Sequence, residues 1–226
     1  MCGRYTLRSR AVDVAEHFGL FDIPPLTPRF NIAPSQSVVG VTDDGGRRRS
    51  RFFDWGLVPE WLENPAEGAK PINARSESAA DKPYFRMALR RRRCLIPADG
   101  FYEWQADGRE RQPFYFRVRG GALFAFAGLY EEWRSPERSL DTCTILTTAA
   151  NSMLQQFHER MPIILSPSGY AAWLNPQTDL RTEIPPLLKA FPAEEMECWP
   201  VAKRMNSPKV DDEACARRFQ EPRLFD

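Results

Sequence analysis

A cysteine at position 2 is small enough for the initiator methionine to be trimmed, and here it opens the stretch Cys2-Gly3-Arg4-Tyr5-Thr6-Leu7. With Met1 gone, one residue offers an α-amine and a thiol on adjacent carbons. Their ordinary pKa values, about 7.8 and about 8.5, leave both partly nucleophilic at neutral pH. Such an amine can act as base for its own side chain, or attack a carbonyl directly as a lysine does in Schiff-base chemistry. The same cysteine also reads as a small hydrophobe at the start of a buried strand over residues 4–7. Glu103, between Tyr102 and Trp104 in a largely apolar stretch, has two readings as well. Buried, its carboxyl has a raised pKa suited to proton transfer near neutrality; facing outward on an alternating strand, it is a surface charge. His158, in Phe157-His158-Glu159-Arg160-Met161-Pro162, is either a structural ring or an acid–base group for pH 7. Trp55 and Trp61 flank a Pro/Gly-rich loop followed by Asn73 and Arg75. They read as core aromatics or as a stacking platform for unpaired bases.

These residues need elements to hold them, and hydrophobic periodicity supplies candidates. Residues 11–20 read as a short amphipathic helix, with Val12, Ala15 and Phe18 at helical spacing and Gly19 near its end. Residues 22–34 are a proline-punctuated loop. Strands are expected at 37–41 and 51–57 around the turn signal Asp43-Asp44-Gly45-Gly46. Residues 78–89 look helical and are closed by Arg90 to Arg93, where cations favour the helix end. An apolar strand broken by a turn runs from Cys94 to Trp104. Residues 112–119 and 122–130 alternate and read as a hairpin about Gly120-Gly121. Further strands are expected at 142–148, 163–165 and 196–201. Short helices are expected at 151–157 (capped by Asn151), 168–174 and 187–191, with an irregular basic tail from Lys203. Strands spread over the whole length without repeats or a linker predict one α+β domain, residues 1–226.

Composition narrows the class. A hydrophobic fraction of 42% supports a core, and 12% aromatic residues with 20 prolines favour strands and ordered loops over a helical bundle. No run approaches the ~18 apolar residues of a membrane span, and the N-terminus has no apolar signal region, so a cytoplasmic protein off the membrane is expected. Five scattered cysteines, Cys2, Cys94, Cys143, Cys198 and Cys215, suit a reducing compartment. They form no CxxC unit, and His17 and His158 add no ligand spacing, so neither a metal nor a cofactor is expected. A net charge of +1 argues against coating nucleic acid by bulk charge. Two local runs, Arg47-Arg48-Arg49 with Arg51 and Arg90 to Arg93, read either as phosphate contacts or as solvated surface.

Met-Cys-Gly-Arg at the start, Asn31-Ile32-Ala33-Pro34, Trp55-Gly56-Leu57, Ile72-Asn73-Ala74-Arg75 and Pro97-Ala98-Asp99-Gly100-Phe101-Tyr102-Glu103-Trp104 together resemble the SRAP (SOS response-associated peptidase) family. So do Thr147-Thr148-Ala149-Ala150-Asn151, His158-Glu159-Arg160-Met161-Pro162 and residues 201–208. Each motif alone is weak, but their shared order covers nearly the whole chain. Glu159 stands where Asp is common, and Val210 and Glu213 replace an expected Asn and Pro, which bears only on the C-terminal segment. The resemblance implies a single compact α+β domain around a barrel-like, mainly antiparallel sheet. It implies a monomer that binds single-stranded DNA and bonds covalently to abasic sites. It places Cys2, Asn73, Glu103 and His158 in the active site, Arg4, Arg75 and Arg160 on DNA phosphates, and Trp55, Trp61 and Trp104 as stacking or wedge residues.

Two other classes compete with that expectation. One is an N-terminal-cysteine hydrolase acting on peptide or amide carbonyls, including removal of its own Met1. Met-Cys-Gly also opens glutamine amidotransferases, although nothing downstream resembles them. The other is a module that reads single-stranded or modified DNA without chemistry.

Overall fold

The computed structural model describes residues 2–107 and 110–219; Met1, on whose removal the expectation for Cys2 depends, and the tail beyond 219 lie outside them. Its strands begin with β1 (Tyr5–Leu7), followed by helix α1 (Ala11–Phe18). Gly19 ends that helix at φ 64°, in the left-handed conformation that glycine adopts without a Cβ penalty. Next come β2 (Arg29–Ile32), β3 (Ser37–Asp44), β4 (Arg47–Trp55), β5 (Asn73–Arg75), α2 (Ser76–Ala79) and α3 (Pro83–Arg91). The remainder is β6 (Arg93–Ala98), β7 (Gly100–Asp107), β8 (Glu110–Val118), β9 (Phe124–Arg134), β10 (Ser139–Ala149), β11 (Arg160–Pro162), β12 (Ile164–Leu165), α4 (Tyr170–Leu174) and β13 (Met196–Pro200).

Two sheets result. In the first the strands lie in the order β13-β8-β7-β1-β2, all antiparallel. In the second, β10-β4-β3-β6-β9 closes on itself because β9 pairs back to β10, forming a five-stranded barrel. Its pairings are antiparallel except β4 with β10, and β5 adds to β10 in parallel. The barrel interior is tight. A Cβ on Gly128 of β9 would lie 2.8 Å from Cys94 Sγ and 2.9 Å from Ile96 Cγ1, so neighbouring strands can approach only over glycine. The β3–β4 hairpin turns on Gly45 and Gly46, both at positive φ, as a two-residue hairpin loop demands.

β1 joins the two sheets. Tyr5, fully buried, meets Trp55 edge-on at 5.4 Å and Phe126 at 5.7 Å, both residues of the barrel. Asp99, between β6 and β7, is 2% exposed and accepts from the Thr6 hydroxyl, the Arg8 and Ser9 backbone N–H groups, Arg8 Nε and the Ser9 hydroxyl. Tyr115 on β8 adds its hydroxyl to Thr6 at 2.9 Å. A second, smaller core of Tyr102, Tyr115, Val201, Met205, Cys215 and Ala216 lies on the outer side of the first sheet.

Several local expectations change. Residues 112–119 and 122–130 do not pair with each other. β8 pairs with β7 and β13, whereas β9 pairs with β6, β10 and β12. Gly120 and Gly121 instead carry the chain from one sheet to the other. Each strand forms a hairpin with its other neighbour in sequence, β8 with β7 and β9 with β10, and takes more distant partners on its remaining edge; Phe116 stacks on Phe101 at 5.3 Å. The loop over 22–34 contains β2, a strand because it pairs with β1; Asp211 also accepts from Phe30 and Asn31 N–H and pairs with Arg29. The helix expected over 78–89 is two, since Pro83 forces Lys82 to ψ 128° and out of the helical region. Pro185 and Pro186 leave only a 3-10 turn at Pro185–Leu187 where a helix over 187–191 was expected. The tail from Lys203 is ordered through residue 219 by the second core.

Replacing Asp99 with alanine strips several donors of their buried acceptor at once. Asp99→Ala should cost about 3 kcal/mol or more in urea unfolding. A loss under about 1 kcal/mol would refute this role for the carboxylate.

Candidate active site

The β1–β7 register sets Cys2 near Glu103. Tyr5 pairs with Phe101 and Thr6 with Gly100, and Tyr102 N–H donates to Arg4 O at 3.0 Å. Continuing that register places Glu103 opposite Gly3, next to Cys2. Cys2 is fully buried, with Sγ directed at Arg4 O 3.9 Å away. Its carbonyl accepts from Asn73 Nδ2 at 2.8 Å, so the first residue of β5 fixes the backbone of the nucleophile. Asn73 is itself held in the ladder opposite Ile145. Its Oδ1 is buried without a hydrogen-bond partner among the described residues.

Burial and local charge set the protonation states. Burial, then the Glu103 charge, push the Cys2 thiol far up. Glu103 is 3% exposed, and burial raises its carboxyl. For His158, burial lowers the imidazolium, which favours the neutral ring at pH 7.

His158 enters from a separate loop. Asn151 Oδ1 accepts from Leu154 N–H at 3.0 Å, capping a 3-10 turn at Leu154–Gln156. Phe157 then packs on Phe114 and Phe116 at 4.8 and 5.0 Å, and His158 N–H donates to Leu154 O. Arg160 N–H donates to His158 Nδ1 at 2.9 Å, so the neutral ring carries its proton on Nε2.

The expected phosphate arginines differ in availability. Arg75 is exposed, with no ion pair among the described residues. Arg160 is chelated by Glu77 at 2.8 and 2.7 Å and also donates to Thr147 O. Arg4 donates to Asn31 Oδ1, Met205 O and Asn206 O, clamping the C-terminal segment onto β1. Trp55 is core, its Nε1 donating to Ile72 O. Trp61 is 52% exposed and meets Tyr84 edge-on; with Pro71 and Phe85 they line an apolar groove of about 420 Å³. Trp104 is half-buried and donates to Asn206 Oδ1.

Neither arginine run borders this site. Arg47 to Arg49 begin β4 at the opposite end of the barrel, where Arg48 reaches Phe18 O and Arg49 pairs with Asp44. Arg93 is 3% exposed and donates to the carbonyls of Leu89, Arg90, Trp173 and Asn175. Burial lowers its guanidinium to about 10, still charged at neutral pH. Sequence reasoning missed Glu77, whose partner lies 83 residues away, and Asn31, which holds Met205, Ser207 and Val210 carbonyls with one amide. No group of three or more His, Cys, Asp or Glu among the described residues is arranged to hold a metal.

The family model "SOS response associated peptidase (SRAP)" matches residues 1–208. Abasic site processing protein YoqW of Bacillus subtilis is 42% identical over 92% of this chain and 96% of its own length. Abasic site processing protein YedK of Escherichia coli is 28% identical over the same shares. A crystal structure of a Bacteroides thetaiotaomicron protein superposes with a TM-score of 0.88 at 26% identity, covering 97% of this chain and 100% of that one. With a buried Cys2, a barrel closed by β9 and β10, and a family match over residues 1–208, this chain belongs to the SRAP family.

Proposed function

We propose that this protein processes abasic sites in single-stranded DNA by bonding to them covalently through Cys2 once Met1 is removed. The observation that carries the reading is the pairing of Cys2 with a buried carboxyl: Glu103 lies beside it on the neighbouring strand, and Asn73 pins its carbonyl. A ring-opened abasic site presents an aldehyde. Glu103 takes a proton from the Cys2 ammonium, and the freed amine adds to the carbonyl carbon, an amine proton passing to the carbonyl oxygen. Glu103 returns its proton to the resulting hydroxyl, so that water leaves and a protonated imine remains. The Cys2 thiol adds to the imine carbon, its proton passing to Glu103, and a five-membered thiazolidine closes. Because both nucleophiles belong to one residue, the second addition has a high effective molarity. An imine left open would let the adjacent C–H be lost and the strand break by β-elimination, so the thiol decides between shield and lyase.

The protonation states suit this order. A thiol held protonated by burial adds second, to an activated imine, whereas a cysteine hydrolase needs a thiolate to attack first. A neutral His158 with its proton on Nε2 donates a hydrogen bond to a sugar oxygen, assisting ring opening. Arg75 supplies the free cation for a neighbouring phosphate. Trp61 and Tyr84 offer an apolar platform for a flanking base. A missing base needs no extrusion from the stack, which favours a lesion in a single strand.

Incubated with single-stranded DNA carrying one abasic site, the untagged protein should give a heat-stable adduct at the summed mass less one water. Cys2→Ser and Cys2→Ala should give none; a stable adduct from either would exclude the thiazolidine. Glu103→Gln should slow adduct formation by about 10²-fold or more. The wild-type rate should rise with pH through the raised Glu103 titration, because only the ionised carboxyl accepts the ammonium proton. A Gln variant with the wild-type pH–rate profile would remove Glu103 from the reaction. Arg75→Ala should reduce the slope of log affinity against log salt by about 0.7; an unchanged slope means that Arg75 touches no phosphate.

A further inference from the structure

Arg160 and Glu77 form a contact that phosphate binding does not explain. The Arg160 side chain is 14% exposed, and its terminal nitrogens are committed to both Glu77 oxygens and to Thr147 O. Arg160 Nε is buried without a hydrogen-bond partner among the described residues, so the guanidinium is held through those terminal nitrogens alone. The hydrogen bond from Arg160 holds the Glu77 carboxyl below its ordinary range, which keeps it ionised. At the other end of the same residue, Arg160 N–H grips His158 Nδ1.

Glu77 also has a fixed place relative to the nucleophile. Asn73, which holds the Cys2 carbonyl, begins β5; Arg75 ends it; and Glu77 is the second residue of α2 immediately after. The arm is set in place by parallel pairing of β5 with β10, whose Thr147 lies between Arg75 on one side and Pro162 of β11 on the other. One five-residue arm therefore touches Cys2 at its first residue and the His158 loop at its last.

We propose that Glu77 is a positioning residue: by clamping the Arg160 side chain it fixes the backbone N–H that orients His158, and the 73–77 arm thereby spaces His158 from Cys2. The assignment of His158 and Cys2 to one reaction rests on the proposed function; the clamp itself does not. A lone exposed ion pair contributes little to stability. This one acts on geometry instead, where a displacement of about 1 Å can cost about 10²-fold in rate.

The test uses the full-length untagged protein as wild type, Glu77→Gln, Arg160→Gln and the double variant. Long-range proton–nitrogen NMR of the His158 ring at pH 7 should show Nε2–H with an accepting Nδ1 in the wild type, and a mixture of tautomers in each variant. At saturating abasic DNA, each single variant should form adduct about tenfold more slowly or worse, with the double variant no slower than either. Glu77→Gln should bind DNA as the wild type does. A wild-type His158 signature and rate in Glu77→Gln would overturn the proposal. So would tighter DNA binding with faster adduct formation in that variant, which would make Glu77 a competitor of phosphate for Arg160. If the wild type forms no adduct, the proposed function fails while the His158 spectra still decide the clamp.

Discussion

On the proposed reading Cys2 becomes a chain end with covalent support on one side only, so non-covalent contacts replace the missing half of the backbone. That constraint falls on β1. Its three residues are too few for a stable strand alone, and they are held from three directions. Tyr5 is wedged against Trp55 and Phe126 of the barrel. Thr6, Arg8 and Ser9 are gathered onto one buried carboxylate, Asp99. Asn73 holds the carbonyl of Cys2 itself. Asp99 begins the turn into β7, the strand that carries Glu103, so the group anchoring the nucleophile's strand also starts the strand bearing its carboxyl.

The same burial that orders the site separates the charge states of its groups. Desolvation disfavours every charged form, so it raises Glu103 and the Cys2 thiol and lowers His158. At neutral pH this keeps a thiol in its thiol form and an imidazole neutral, and it leaves the carboxyl closer to neutrality than a surface glutamate. A proton can then pass between an amine and a carboxyl at modest cost in either direction, as an addition followed by a dehydration requires. A thiolate-first hydrolysis would ask the opposite of Cys2.

Much of the architecture was legible in the chain because it is local. The turn signal Asp43-Asp44-Gly45-Gly46 marked its hairpin, and the alternation over 122–130 marked a strand that became β9. The collinear motifs pointed to the family and its barrel. What escaped was partner choice. The alternation over 112–130 is correct for two strands, yet two glycines at positive φ serve a crossing between sheets as well as a hairpin. β2 is a strand because it pairs with β1, and Asp211, 180 residues away from Asn31, accepts from the N–H groups of Phe30 and Asn31. Site residues followed the same division. Types and motifs named Cys2, Asn73, Glu103 and His158 as candidates, but only the fold distinguishes a buried Trp55 from an exposed Trp61, or a free Arg75 from an Arg160 held by Glu77.

That last distinction reshapes how cations serve this molecule. An arginine counted in a sequence is a potential phosphate ligand, and the two dense runs here read equally as phosphate contacts or as solvated surface. In the fold, Arg93 closes four backbone carbonyls, Arg92 offsets Glu131, Arg51 bridges Glu132 and Asp141, and Arg4 ties the C-terminal segment to β1. Guanidinium groups suit that work because five fixed donors can satisfy several carbonyls at once while keeping their charge. The arginine count therefore overstates the guanidinium groups left open to a phosphate, because so many of them already hold the fold together.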